Sequence, residues 1–137
     1  MKTDWQDEDS VSFMLDDCTT WAVVGLSDNP RRTAYEIAQL LQARGKRVVP
    51  VHPKAATVLG EQGYATLADV PFDIDVVDVF RRSEDAGVHA DEALAAGARG
   101  VWFQLGVIDE DAFARVRAAG VPMVMDTCPA IEWRRRG

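Results

Sequence analysis

The sequence predicts an α/β fold, a single doubly wound, parallel sheet of five strands with helices on both faces. Short, nearly continuous apolar runs alternate from Thr20 onward with stretches that have helical spacing of apolar residues. Glycines stand where helices of that spacing would end. The length of 137 residues suits one domain. Parallel neighbours need connections of a dozen or more residues, and right-handed crossovers would place the helices on both faces of the sheet.

The first half of the chain predicts a strand, helix and strand in succession. Residues 20–26 (TWAVVGL) form an apolar run that suits a strand buried on both faces. Apolar residues at helical spacing over Thr33–Ala43, followed by Gly45, predict a helix and its end. Arg47–Val51 is the second apolar run and therefore the second predicted strand.

The second half repeats this alternation after an irregular segment. Residues 53–71 contain Gly60, Gly63 and Pro71, and we expect this segment to cross an edge of the sheet with short helical turns near 55–59 and 67–70. The remaining predicted strands are 75–80, 100–105 and 121–125, and the helices between them are 85–96 and 109–119.

The net charge of −7 is concentrated near the amino terminus. The first 17 residues carry six acidic side chains and one basic one, a sum of −5, so the other 120 residues carry only −2. We expect residues 1–17 to form an acidic amphipathic helix, with Asp9 as its N-cap, packed on a domain of residues 18–137. No extended basic face or recognition motif is present, which argues against a nucleic-acid partner.

Cysteine usage and hydropathy favour a cytoplasmic protein. Cys18 and Cys128 are too few for a disulfide framework and lack the spacing of a zinc site, so no metal is expected. The acidic start is unlike a secretory signal. Charge-free stretches fall short of the ~20 residues that cross a bilayer, so we expect no membrane association.

The loop after the first strand has the features of a phosphate site without the usual dinucleotide fingerprint. Gly25 permits a tight turn, and the following helix start offers unpaired N–H groups to an anion. A strand-to-helix turn with Asn-Pro chemistry remains the structural alternative. Polar and charged side chains in this loop that could contact a ligand are Ser27, Asn29, Arg31, Arg32 and Thr33.

The next two strand ends also carry cations. His52, Pro53 and Lys54 follow the second strand, where an NAD site would place a carboxylate for the ribose hydroxyls. Phe80 is followed by Arg81 and by Arg82, for which a salt bridge within its own helix start is an equal alternative. Carboxyl ends of parallel strands share one edge of a sheet, so these cations favour a multiply phosphorylated nucleotide over NAD.

These motifs, in this order and spacing, resemble the CoA-binding protein family. That family is the stand-alone Rossmann-type domain related to the nucleotide-binding domain of the succinyl-CoA synthetase alpha subunit. The resemblance covers residues 21–132. It is carried by WAVVGLS at 21–27 with Asn29-Pro30, VPVHPK at 49–54, LGE at 59–61, VVDVFRR at 76–82, VWFQLG at 101–106, and Cys128-Pro129 with Glu132.

The resemblance implies a Rossmann-like fold and a site for coenzyme A or an acyl-CoA. Residues 27–29 and the helix start would hold the diphosphate, and Lys54 would face the phosphorylated ribose. The sequence departs from the usual pattern at His52, Thr127 and Ala130. The candidate ligand-binding residues are therefore Gly25, Ser27, Asn29, Arg31, Arg32, Thr33, His52, Pro53, Lys54, Phe80, Arg81, Gln104 and Leu105.

The sequence offers few candidates for catalysis, and we expect a non-catalytic module. His52 suits a turn better than a general base, and Cys128, after the last strand, is either an inert buried thiol or one that approaches a thiol ligand. An NADP-dependent oxidoreductase, or another nucleotide-cofactor enzyme, is the alternative, since the same cations could hold a 2′-phosphate. A regulatory protein that senses acyl-CoA and docks an unknown protein partner is a third possibility.

Overall fold

A computed structural model describes residues 2–136 and contains one five-stranded sheet. The strands are β1 (Thr20–Val24), β2 (Arg47–Val51), β3 (Val76–Val79), β4 (Gly100–Phe103) and β5 (Met123–Val124). All pairs are parallel and the order is β2-β1-β3-β4-β5. The predicted doubly wound, Rossmann-like fold is therefore confirmed, with its topological switch point between β1 and β3.

Helices cover both faces of the sheet, as the sequence predicts. They are α1 (Lys2–Trp5), α2 (Glu8–Ser12), α3 (Thr33–Ala43), α4 (Ser83–Ala95), α5 (Glu110–Ala118) and α6 (Pro129–Arg135). Alternate strand residues divide between two cores: Trp21 and Val23 pack with α3 and α6, whereas Ala22 and Val24 pack with α4 and α5.

The predicted helices and strands are present in the structure, but some of their bounds differ, and the segment 53–71 differs in part from its prediction. The predicted bounds of α3 and β2 are those observed, whereas β1, β3, β4 and β5 are shorter than predicted. Residues 55–59 form no helical turn, because Ala55 and Leu59 adopt positive φ and Val58 bridges Glu61. A 3₁₀ turn is present at Leu67–Asp69. The segment does run along the edge of the sheet, where Tyr64 pairs beside Val51.

The amino-terminal segment differs from the single helix predicted for it. It forms α1, α2 and a π-helical turn at Phe13–Asp17, and the N-cap of α2 is Asp7 rather than Asp9, since Asp7 accepts a hydrogen bond from the Ser10 N–H at 2.9 Å. Met14 is fully buried under the sheet beside Gly100. This segment therefore supplies part of the core that also contains α3.

The described residues contain neither a candidate membrane span nor a candidate metal cluster. Between residues 2 and 136, no helix has the length and apolar character needed to span a membrane. The same residues contain no group of three or more His, Cys, Asp or Glu side chains placed to hold a metal ion.

Candidate functional site

A cleft of about 960 Å³ opens at the carboxyl ends of the central strands. It lies beside the switch point, where open parallel sheets commonly bind ligands. The β1–α3 loop and the start of α3 form one wall, the residues that follow β3 and β4 form the floor, and α6 forms the opposite wall. We refer to this space as the cleft.

Gly25 brings the ends of β1 and β3 together at the floor of the cleft. Its φ is +99°, and a Cβ at this position would lie 2.6 Å from the carbonyl oxygen of Phe80. Its N–H donates to the Val51 carbonyl at 2.8 Å, which continues the pairing with β2. Only glycine has both the conformational freedom and the small volume that this turn requires.

Hydrogen bonds between residues two positions apart organise the loop after Gly25. The Asn29 N–H donates to Ser27 Oγ at 3.3 Å, and the Arg31 N–H donates to Asn29 Oδ1 at 3.0 Å. Asn29 therefore uses its side chain on its own loop, as the Asn-Pro turn alternative predicts. Ser27 lines the cleft and Asn29 does not.

Four arginines at the cleft have no carboxylate partner among residues 2–136. Arg31 and Arg32 precede α3, Arg81 follows β3, and Arg134 extends from α6; all four are exposed. Glu36 is the one acidic residue of the lining that the structure describes. The lining of the cleft therefore carries an excess of positive charge, which would attract a phosphate-bearing ligand.

Arg82 is the exception among the cleft arginines. Its Nε donates to Asp85 Oδ2 at 3.2 Å, and a second guanidinium nitrogen lies 3.9 Å from Glu84 Oε2. Arg82 therefore forms the salt bridge within its own helix start that the sequence offered as an alternative to a ligand contact.

The cleft lining also contains apolar side chains. They come from α3, α6 and the residues after β4, and Leu105 stands 61% exposed at the rim of the cleft. Gln104 is a buried polar residue of the lining, 4% exposed, and its amide oxygen has no hydrogen-bond partner in the described structure. The apolar residues are Ile37, Val107, Cys128, Ala130 and Ile131. A ligand with a charged head and a long, partly apolar arm would suit this lining.

Both cysteines are free and buried. Cys128 is the N-cap residue of α6 and lines the cleft. Its approach to a thiol ligand stays a prediction. Cys18 lies in the core away from the cleft lining, and burial raises its pKa to about 11. Cys18 is therefore in its inert thiol form at neutral pH.

All but three of the predicted ligand-binding residues line the cleft; the exceptions are Asn29, Pro53 and Lys54. Pro53 borders a neighbouring pocket of about 120 Å³. Lys54 is exposed outside the cleft, and its N–H donates to His52 Nδ1 at 3.2 Å. Lys54 is therefore not part of the cleft lining, and its contact with the phosphorylated ribose stays a prediction. His52 keeps the turn role expected of it and also reaches the cleft.

Sequence reasoning missed the contribution of α6. The sequence pattern did not predict a helix over Pro129–Arg135, where α6 packs against the α3 face. Thr127 fixes its start, since its hydroxyl donates to the buried Glu132 carboxylate at 2.6 Å and its carbonyl accepts from Trp102 Nε1 at 2.9 Å. Proline in the first turn followed by Glu132 was the available signal for a helix.

The chain is similar to known proteins over most of its length. A family model described as CoA binding domain matches residues 19–134. The uncharacterized protein YneT of Bacillus subtilis is 37% identical over 107 residues, which cover 78% of this chain and 79% of YneT. A hypothetical protein from Pyrococcus horikoshii OT3 has a similar structure, with a TM-score of 0.90, 30% identity and coverage of 98% and 95% of the two chains.

A larger enzyme contains the same fold. The dinucleotide forming acetyl-coenzyme A synthetase 1 of Ca. Korarchaeum cryptofilum matches 80% of this chain with a TM-score of 0.69 and 23% identity. The match covers 26% of the synthetase chain. At that identity the likeness shows a shared fold.

Proposed function

The chain belongs to the CoA-binding domain family, and on that premise we propose that it binds coenzyme A or an acyl-CoA in the cleft as a non-catalytic binding or regulatory module. The observation that carries the proposal is that the lining of one cleft combines arginines that lack a described carboxylate partner with apolar side chains. Coenzyme A combines the same two features, because a diphosphate and a 3′-phosphate lie at one end and a long pantetheine arm ends in the thiol.

The arginines of the lining account for the phosphates. The diphosphate would lie at the start of α3, where unpaired N–H groups and the helix dipole add to the charges of Arg31 and Arg32. Arg81 and Arg134 stand on the other side, free to reach a further phosphate. The cleft volume of about 960 Å³ lies near the upper end of the range of ~300–1,000 Å³ for small-molecule sites, as a ligand of this size needs.

The apolar side chains of the lining account for the arm. The pantetheine would run past Ile37 and Gln104 toward Cys128 and Ile131, with Leu105 at the rim. An acyl group would extend the same apolar contacts. The arm of the ligand would then meet the apolar side chains of the lining.

The chemistry of the lining supports a binding module over an enzyme. The ionisable lining groups other than arginine are Glu36, His52 and Cys128, and in the described structure no hydrogen bond joins any two of them. His52 Nδ1 is occupied by the Lys54 N–H. A nucleophile paired with a base, which acyl transfer requires, is not assembled from these residues.

Calorimetry with CoA, acetyl-CoA, dephospho-CoA, NAD and NADP tests the proposal. We expect CoA and acetyl-CoA to bind more tightly than dephospho-CoA and either dinucleotide. Arg81→Ala should weaken CoA binding, and Lys54→Ala is the matched control, because it removes a cation outside the cleft. The absence of any heat with CoA species at millimolar concentration would refute the proposal, and tighter binding of NADP would favour an NADP-dependent oxidoreductase.

A further inference from the structure

Three buried polar groups on one face of the sheet lack hydrogen-bond partners. They are Trp21 Nε1, both carboxyl oxygens of Asp78, and Oε1 of Gln104, and no described residue lies within hydrogen-bonding distance of them. Asp78 is fully buried in the middle of β3. Buried polar groups nearly always have hydrogen-bond partners in folded proteins, so three groups without partners on one face require an explanation.

The strand register places these three groups in one neighbourhood. Asp78 lies between Val23 of β1 and Trp102 of β4. The Trp21 ring reaches across this position, since its centroid is 5.8 Å from that of Trp102. Gln104 follows Trp102 by two residues, and its N–H continues the ladder to the Val79 carbonyl at 3.3 Å, so its side chain shares the face of Asp78 one step closer to the cleft.

The donors and acceptors of the three groups are complementary. Burial raises the pKa of Asp78 well above its ordinary value, so its carboxyl group is neutral and has one O–H donor and one carbonyl acceptor. The Trp21 indole can only donate, and Gln104 Oε1 can only accept. A chain from Trp21 to Asp78 to Gln104 would satisfy all three, and an ionised Asp78 would leave Gln104 Oε1 without a donor.

We propose that Asp78 is a positioning residue for Gln104 in the ligand site. Its carboxyl group accepts a hydrogen bond from Trp21 Nε1 and donates one to Gln104 Oε1, each through a buried water. Because Oε1 is held inward, the –NH₂ of the Gln104 amide faces the cleft. The cleft therefore presents a fixed donor to a carbonyl oxygen, which in the proposed function is an amide or thioester carbonyl of the CoA arm.

Substitutions at Asp78 separate positioning from packing. Asp78→Asn keeps one donor and one acceptor, so we expect CoA affinity to change less than about twofold. Asp78→Leu keeps the volume and removes both, which should lower CoA affinity about tenfold, the equivalent of one hydrogen bond. Gln104→Leu should cause a similar loss, and the double variant should lose no more than either single one. Wild-type affinity in Asp78→Leu, or additive losses in the double variant, would overturn the proposal.

Two readouts test the chain without any ligand, and the inference rests on the proposed function only for the identity of that ligand. The infrared spectrum of the free protein at neutral pH should contain a carboxylic-acid carbonyl band that is absent from Asp78→Asn. The indole N–H resonance of Trp21, assigned with Trp21→Phe, should move in Asp78→Leu. If wild type does not bind CoA, the proposed function fails while these readouts still decide the hydrogen-bond chain; a missing acid band refutes it.

Discussion

Alanine at Gly25 should damage the stability of the protein and the shape of the cleft together. The backbone here has a φ of +99°, which an L-residue with a Cβ rarely adopts. The added Cβ would also stand 2.6 Å from the Phe80 carbonyl oxygen, a backbone atom that cannot rotate away. Relief requires the ends of β1 and β3 to separate, and Phe80 is part of the cleft floor.

The magnitude follows from the two effects. Positive φ in a residue with a Cβ costs about 1 kcal/mol. A steric overlap relieved by backbone movement costs about 1–3 kcal/mol more. We therefore expect Gly25→Ala to lose about 2–4 kcal/mol of unfolding free energy. Gly97→Ala is the matched control, because Gly97 has a φ of +76° but no atom within 4 Å of the added Cβ, so it should show only the first effect.

Urea denaturation of both variants, followed by CoA titration, measures the two consequences. Gly25→Ala should unfold at lower urea than Gly97→Ala and bind CoA more weakly than wild type, whereas Gly97→Ala should bind CoA normally. Equal losses of stability in the two variants would show that the contact with Phe80 has no energetic effect. Normal CoA binding by Gly25→Ala would show that the turn does not shape the site.

Three further predictions concern the core, the buried acid and the ligand charge. Met14→Ala should lose about 2–5 kcal/mol of unfolding free energy, measured by urea denaturation, because Met14 is fully buried. Deletion of residues 2–17 removes Met14 and its buried neighbours, so it should unfold the chain. A stable truncated protein would contradict this. Asp78→Asn should be more stable than wild type at neutral pH but not near pH 3. The pKa of Asp78 is raised by burial, so the wild type loses relative stability as pH rises above the unfolded value of ~3.9, with a slope of up to about 1.4 kcal/mol per pH unit. Urea denaturation of both proteins at several pH values measures this. A difference in unfolding free energy that does not change with pH would refute it. CoA affinity should fall as salt is raised from low concentration, because the cleft arginines are exposed and screened over ~10 Å at 0.1 M; a flat salt series would argue against phosphate binding there.

Local patterns predicted the parts of the fold that have strong periodicity. Thr33–Ala43 and Arg47–Val51 have the predicted bounds because apolar spacing and a following glycine, or a continuous apolar run, are properties of neighbouring residues. The amino-terminal segment was predicted as one helix rather than three short ones, and α6 was not predicted, because their boundaries depend on distant contacts. Met14 packs beside Gly100, and α6 is fixed by a bond from Trp102 to Thr127.

The candidate site divides in the same way. Parallel strands must end at one edge, so the sequence order alone was enough to place Gly25, Arg31 and Arg81 together. Which side chains turn into the cleft was decided by loop geometry. Lys54 turns outward where its N–H meets His52, and Arg134 enters from a helix that only its packing against α3 makes visible.

The sequence by itself determined the strand-helix alternation, the parallel topology and the edge of the sheet at which cations gather, because period and chain order fix them. The tertiary structure alone decided which arginines are free, since pairing depends on three-dimensional distance: Arg82 meets Asp85, and Arg81 does not meet a described carboxylate. It also decided that Asp78, one of several aspartates in an apolar run, lies fully buried beside two other unpaired groups. Burial and the absence of a partner are properties of packed neighbours, and they convert an ordinary acidic residue into a neutral hydrogen-bond donor.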